Sequence, residues 1–354
     1  MAGGSGERFW PLSTSSRPKQ FVSIFGGKPL IRHAVDRLDG LVDPDRILII
    51  TADALVAPSR DACPSVPPEN IIGEPMRRDT AAACALALGL VKARDPDGVA
   101  AILTADQLMA DVAAFRRILA DSFTVAARAD AIVTIGVVPS YPATGFGYIE
   151  GAEDCGFGLS TSKRKALRFV EKPDEATARS YVESGRFRWN AGMFIWSVAT
   201  MGKAFAAHAP QLLPLIESAS SASSTDDLAA RLAAIYPGLE RISLDYAVME
   251  KCRNIIMAEG EFGWDDVGSW PSIVAHMPAD GDGNVTLGEV AAMDSRESIV
   301  VNTAEGRMLA LLGCEDMVVV QTPYATLVCP KSKSQDLKRL VRQIASGEGG
   351  SRYV

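Results

Sequence analysis

Histidine is almost absent: three in 354 residues, at 33, 208 and 276. They stand too far apart for a histidine-built metal site. The six cysteines (Cys63, Cys84, Cys155, Cys252, Cys314, Cys329) form no CxxC pair. Scattered in this way, they read as buried free thiols of a reducing compartment. No signal peptide is visible, and the longest apolar run, residues 81–91, falls far short of the ~18 residues a membrane span needs. A cytoplasmic protein with no membrane partner is expected. Positive charge is also short: 36 Lys and Arg against 43 Asp and Glu, a net charge of −7. That balance argues against a nucleic-acid partner. Heptads, charge blocks and internal repeats are missing as well.

What is present is an ordinary globular composition, 47% hydrophobic and 22% charged. The length suits one large domain plus a small one. The most informative stretch is the beginning, AGGSGERFWPLSTSSRPKQF over residues 2–21. Gly3, Gly4 and Gly6 can turn tightly and present backbone N–H groups to an anion. Arg8 adds a planar fork of donors, Lys19 a compact point charge. Pro11 and Pro18 stiffen the chain between them. An acidic protein that binds an anion must concentrate cations in this way, and the stretch reads as a polyphosphate cradle. It is not a P-loop, because Gly27-Lys28 is followed by Pro29, nor a dinucleotide fingerprint, because Phe9 stands where the third glycine belongs.

Along the chain, residues 29–41 show the apolar spacing of a helix, and 46–51 an apolar run typical of a buried strand. Residues 70–75 read as a strand end, 81–94 as an Ala-rich helix capped by Asp79 or Thr80, and 98–106 as a third strand. A helix over 113–129 and a strand over 131–138 follow. This alternation predicts an α/β fold with a mostly parallel, Rossmann-like sheet flanked by helices. Strands at 147–150, 166–171 and 189–198 and a helix at 173–184 fill the middle. Residues 218–225 read as a flexible Ser-rich loop before a helix opened by Asp226 and Asp227. From about Asn284 short β-like runs are broken by Gly, Asn and Pro, which suggests a small β-rich, β-helix-like module closed by a helix at 335–345. The expected division is a catalytic domain over 1–280 and a β-rich module over 284–354. Asp106 directly follows the apolar run AAILTA, at the strand edge where open α/β sheets hold ligands.

The blocks GGSGERFWPLS and RPKQF resemble the signature of the sugar-nucleotide pyrophosphorylases, and Trp10-Pro11-Leu12-Ser13 and Pro18-Lys19-Gln20-Phe21 resemble its mannose-1-phosphate guanylyltransferase branch. EKP at 171–173, WNAGMF at 189–194, SLDYAVME at 243–250 and FGWDDVGSW at 262–270 carry the resemblance along the chain. It implies transfer of GMP from GTP to mannose 1-phosphate by direct in-line attack, yielding GDP-mannose and diphosphate, with Mg²⁺ as cofactor. Asp106 and Asp266 are then the metal ligands, since Mg²⁺ takes one or two carboxylates with phosphate oxygens and water. Arg8 and Lys19 become the catalytic cations, with Ala2, Gly3, Gly4, Gly6, Glu74, Arg78, Asp79 and Thr80 on the nucleotide. Gly147, Glu171, Lys172 and Asn190 would hold the sugar phosphate: Lys172 its phosphate, Glu171 the hydroxyls, and Asn190 as a neutral donor and acceptor. GTP and mannose 1-phosphate are the expected partners, and a homodimer is compatible with the reading.

The sequence departs from the family pattern at several points. Glu7 replaces a usual Thr, Thr14 an Arg, Arg77 a Gly, Asp79 an Asn, Ala82 a Pro and Gln107 a His, while Gln321 and Tyr324 replace two Asp. The family also has a buried strand just before the Gly-rich turn, so the start reads as truncated. Two alternatives stay open: the same chemistry with another base or sugar, and a weakly catalytic regulatory homologue that binds nucleotide sugars.

Overall fold

The computed structural model describes Met1 and residues 6–354 and divides into two compact units. The expected Ala2, Gly3 and Gly4 contacts lie outside the described residues.

The first unit comprises Met1, Val35–Thr104 and Met109–Trp264. Its six-stranded sheet runs in the order Val99–Ile102, Phe187–Ser197, Ile132–Val137, Ile255–Gly260, Lys163–Val170, Tyr148–Asp154. The α/β class is as expected, but the mostly parallel sheet is not. Within it only Ile132–Val137 and Ile255–Gly260 pair in parallel; the other pairings are antiparallel. For the pair Tyr148–Asp154 and Lys163–Val170 the connection gives the reason. Only residues 155–162 join strands Tyr148–Asp154 and Lys163–Val170, and a parallel return needs a crossover of roughly a dozen residues or more. A separate parallel pair joins Ile49–Ala52 to Ile71–Glu74.

Strand Phe187–Ser197 is the long one, and it is bulged. Opposite Thr134 stands Phe194, yet opposite Gly136 stands Asn190, so extra residues are looped out around Gly192 at φ 69°. Such a bulge re-aims the side chains beside it.

Helix Asp79–Arg94 is buried from Ala81 to Gly89 with no polar face there, as a core helix must be. A Cβ at Gly89 would stand 2.5 Å from the Ile216 carbonyl oxygen, so this glycine admits helix Leu213–Ser220. That helix corrects the expected loop: Leu215, Ile216 and Ala219 give Ser218–Ser220 a buried helical stripe. The expected cap is corrected too. The Thr80 hydroxyl accepts from Leu244 N at 2.8 Å and Ala81 N donates to Ile242 O, so a neighbouring loop satisfies the helix start.

The second unit comprises residues 6–34, 105–108 and 265–354. Three parallel pairings, Val285–Leu287 on Ile299–Asn302, that strand on Met317–Gln321, and Val290–Met293 on Leu309–Leu312, stack the coils of the expected β-helix. Antiparallel Thr326–Pro330 closes one stack. The inward residues Val285, Ile299, Val301, Val318 and Val320 share one core with Phe9, Trp10, Phe25, Val267 and Trp270. The N-terminal stretch is therefore built into the same core as the β-helix.

Among the cysteines only Cys63 and Cys84 are buried; Cys155 is exposed in the 155–162 connection, against the expectation for all six. Among the described residues no helix is long and apolar enough to cross a membrane.

Candidate functional site

In the second unit the turn Lys19–Phe21 buries the Lys19 side chain. Its Nζ donates to Asp106 Oδ2 at 3.1 Å and to the Asp266 carbonyl. Gly6 (φ 59°) makes this possible: a Cβ there would overlap Lys19 Cβ and stand 2.9 Å from Lys19 N. Gly268 has the same function on the opposite side. A Cβ on it would stand 2.8 Å from Asp266 Oδ2 and 3.3 Å from Arg8 Nη1. Arg8, Lys19, Asp106 and Asp266, 258 positions apart at the extremes, thus form one cluster.

The turn that carries Asp266 is held hard. Val267 is buried at φ 48°, a region that a β-branched residue occupies only when its surroundings impose it. Its N–H donates to Asp265 Oδ1 at 2.6 Å, and Asp265 Oδ2 bonds His276 Nε2 at 2.8 Å. Burial raises the Asp266 pKa; Lys19 and Arg8 pull it back, while Asp265 and Asp106 push it up. Two hard carboxylates from residues that share the Lys19 ammonium fit a small divalent cation whose remaining ligands are phosphate and water. Among the described residues no cluster of three or more His, Cys, Asp or Glu could hold a metal.

In the first unit, the sugar candidates converge. A Cβ at Gly147 would stand 2.5 Å from Glu171 Oε2 and 3.4 Å from Asn190 Cβ, so only glycine leaves that floor open. Lys172 Nζ donates to Glu171 Oε1 at 2.6 Å. Burial opposes charge on Lys172, but the Glu171 hydrogen bond and charge, helped by Asp245 and Tyr246, win and raise its pKa. Lys172 itself sits at φ 46°.

The nucleotide candidates stand elsewhere in the same unit. Glu74 Oε1 accepts from Tyr236 Oη at 2.9 Å. Burial raises the Glu74 pKa to about 7, against that hydrogen bond. Arg78 spends two nitrogens on the carbonyls of Tyr236 and Pro237, both at 2.8 Å, and so braces the segment. Asp79, at φ 66°, accepts from Thr80 N at 2.8 Å.

Sequence reasoning missed Asp245, Thr134, Tyr236, Asp265 and His276. Ser243, whose hydroxyl caps the short helix Leu244–Ala247, and the SLDYAVME block were the local signals for Asp245. Nothing in the chain announces its contact with Asn190, 55 positions away.

A cation-lined turn beside paired carboxylates, on a chain with an α/β sheet and a β-helix, defines the class. The chain belongs to the nucleotidyl transferase family, whose pattern matches residues 1–282, and a MannoseP isomerase/GMP-like β-helix domain matches residues 288–344. Among its relatives is mannose-1-phosphate guanylyltransferase of Escherichia coli K12, 35% identical over 97% of this chain and 72% of that protein. Alginate biosynthesis protein AlgA of Pseudomonas aeruginosa is 35% identical over 97% of this chain and 71% of its own length. The solved structure of mannose-1-phosphate geranyltransferase from Thermus thermophilus superposes with a TM-score of 0.86 at 33% identity, covering 98% of each chain.

Proposed function

We propose that this protein is a mannose-1-phosphate guanylyltransferase, joining GTP and mannose 1-phosphate into GDP-mannose and diphosphate. The observation that carries the reading is the Lys19–Asp106–Asp266–Arg8 cluster on a chain whose relatives of that name match it over nearly its whole length.

An oxygen of the sugar phosphate attacks the α-phosphorus in line. The new O–P bond forms as the bond to the β-phosphate oxygen breaks, and diphosphate leaves with the electron pair. No covalent enzyme intermediate is needed, so the chain's contribution is positioning and charge neutralisation. Arg8 and Lys19 hold the departing diphosphate. Asp106 and Asp266 would hold a Mg²⁺, which supplies charge neutralisation at the phosphate oxygens. Lys172 exchanges its Glu171 partner for the sugar's phosphate, while Glu171, Asn190 and the open floor at Gly147 meet the hydroxyls. Gly6 belongs to the phosphate turn, and Glu74, Asp79 and Thr80, braced by Arg78, to the base. A carboxylate is a suitable acceptor for the donor edge of guanine. The catalytic portion runs over 1–280 and the β-rich module over 284–354; a cytoplasmic location and a homodimer belong to the same proposal.

Diphosphate release measured across four nucleoside triphosphates and several sugar 1-phosphates tests it. GTP with mannose 1-phosphate should give the highest kcat/KM; a better pair would replace the substrates, and no turnover with any pair would remove the activity.

A further inference from the structure

Asn190 is the one neutral side chain of the sugar cluster, and its amide is almost fully committed. Oδ1 accepts from the Thr134 hydroxyl at 3.2 Å and from Gly192 N at 3.1 Å. Nδ2 donates to Asp245 Oδ1 at 3.1 Å. Its backbone N–H is tied to the Gly147 carbonyl at 2.8 Å. This network permits one amide orientation. Rotated by half a turn, Nδ2 would face the Gly192 N–H, an obligate donor, and Oδ1 would face a carboxylate, whereas the Thr134 hydroxyl, which also reaches the Met193 carbonyl at 3.2 Å, could serve either orientation. The bulge at Gly192 and the hydroxyl of fully buried Thr134 supply one side of the clamp, and Asp245, on its Ser243-capped turn, supplies the other.

We infer that Asp245 is a positioning residue for the sugar subsite: with Thr134 it fixes the Asn190 amide so that its second N–H is kept for a ligand hydroxyl. The inference rests on the sugar-phosphate reading above. It also specifies the recognition chemistry. A hydroxyl lying over Gly147 accepts from Asn190 Nδ2 and donates to Glu171 Oε2, the carboxylate oxygen facing Gly147, while Oε1 is the one that bonds Lys172. Such a paired donor and acceptor demands one configuration at that carbon, since an epimer loses both bonds and leaves two buried polar groups unpaired. Burial and the nearby Glu171 charge raise the Asp245 pKa to about 6, and its Oδ1 can accept from Asn190 in either protonation state.

Steady-state kinetics with each substrate varied, on Asp245→Leu, Thr134→Val and Asp245→Asn, test the assignment. Asp245→Leu and Thr134→Val should each raise KM for mannose 1-phosphate about ten-fold, the scale of one hydrogen bond, and leave kcat and KM for GTP within about two-fold. Their preference for mannose 1-phosphate over its epimers should fall by a similar factor. Asp245→Asn keeps an acceptor for Nδ2 and should restore KM to within about three-fold of wild type. Unchanged sugar-phosphate KM in both clamp variants, parallel loss of both KM values and kcat, or an Asp245→Asn variant as impaired as Asp245→Leu would each overturn the role. Calorimetric binding of mannose 1-phosphate to the same proteins reads the subsite separately from turnover. An inactive wild type that still bound the sugar phosphate through this clamp would sink the proposed reaction and keep the inference.

Discussion

Replacing Gly268 by Ala separates the chemistry of the phosphate cluster from the stability of the fold. The backbone of Gly268 lies outside the left-handed region, so alanine can adopt it. The new Cβ would stand 2.8 Å from Asp266 Oδ2, 3.2 Å from Oδ1 and 3.3 Å from Arg8 Nη1. Ordinary carbon–oxygen contacts begin near ~3.3 Å, so the carboxylate must retreat by about 0.5 Å and the guanidinium must give with it. In a preorganised site a displacement of about 1 Å costs roughly 10² in rate, and we expect kcat to fall about 10- to 100-fold. Stability should barely respond. Strain on two side chains is offset in part by the stiffer unfolded chain, leaving Tm within about 3 °C. Two other glycines bracket the result. Gly281→Ala meets open space and should change neither quantity. Gly6→Ala strikes the Lys19 backbone at φ 59° and should cost about 2–4 kcal/mol of stability. Diphosphate release and thermal melts on the three purified variants decide. A Gly268→Ala enzyme with wild-type kcat would mean that the Asp266–Arg8 arrangement is not where the transferring phosphates are held.

Asp106→Ala or Asp266→Ala should each lower kcat by at least ~10²-fold, the scale of losing one preorganised charge contact; near-normal Mg²⁺-dependent turnover would remove that carboxylate from the site. Arg8→Lys should depress kcat more than it moves KM for the sugar phosphate, because an ammonium cannot replace a bidentate fork, whereas Lys172→Ala should raise that KM; the reverse pattern in substrate-varied kinetics would exchange their assignments. Glu74 holds its proton to about pH 7 when folded and to 4.5 in its ordinary state. The folded form therefore binds the extra proton between those values, and stability is lost as pH rises from about 4.5 through about 7. Glu74→Gln should flatten that part of the Tm–pH curve relative to wild type, and an unchanged slope would refute the burial argument. Trp270→Ala should cost about 3–5 kcal/mol, since its fully buried ring packs on Phe9 at a centroid distance of 5.2 Å. A denaturant titration showing less than about 1 kcal/mol would deny that Phe9 and Trp270 share a core.

The local level of this protein was readable from residues alone. Apolar periodicity located helix Val112–Arg128, strand Ile132–Val137 and the β-like runs after 284, because burial on one face repeats with the element's own period. The Gly-rich stretch with Arg8 and Lys19 suggested an anion site for a similar reason: backbone freedom and two cations within twenty residues are local properties. The sheet's direction was not local. For Tyr148–Asp154 and Lys163–Val170 it followed from the short connection between them, and for the other antiparallel pairings from which distant strands were buried side by side, which periodicity does not record. Nor could spacing show that Phe9 and Trp10 pack with Trp270 and Val318, that Gly268 clears room for Asp266, or that Thr134, Gly192 and Asp245 clamp one amide. These are contacts across tens to hundreds of positions, fixed by which surfaces could be buried together. The sequence by itself determined which chemical groups this protein has; tertiary packing alone decided which of them meet, because only the folded chain brings distant residues within hydrogen-bonding range.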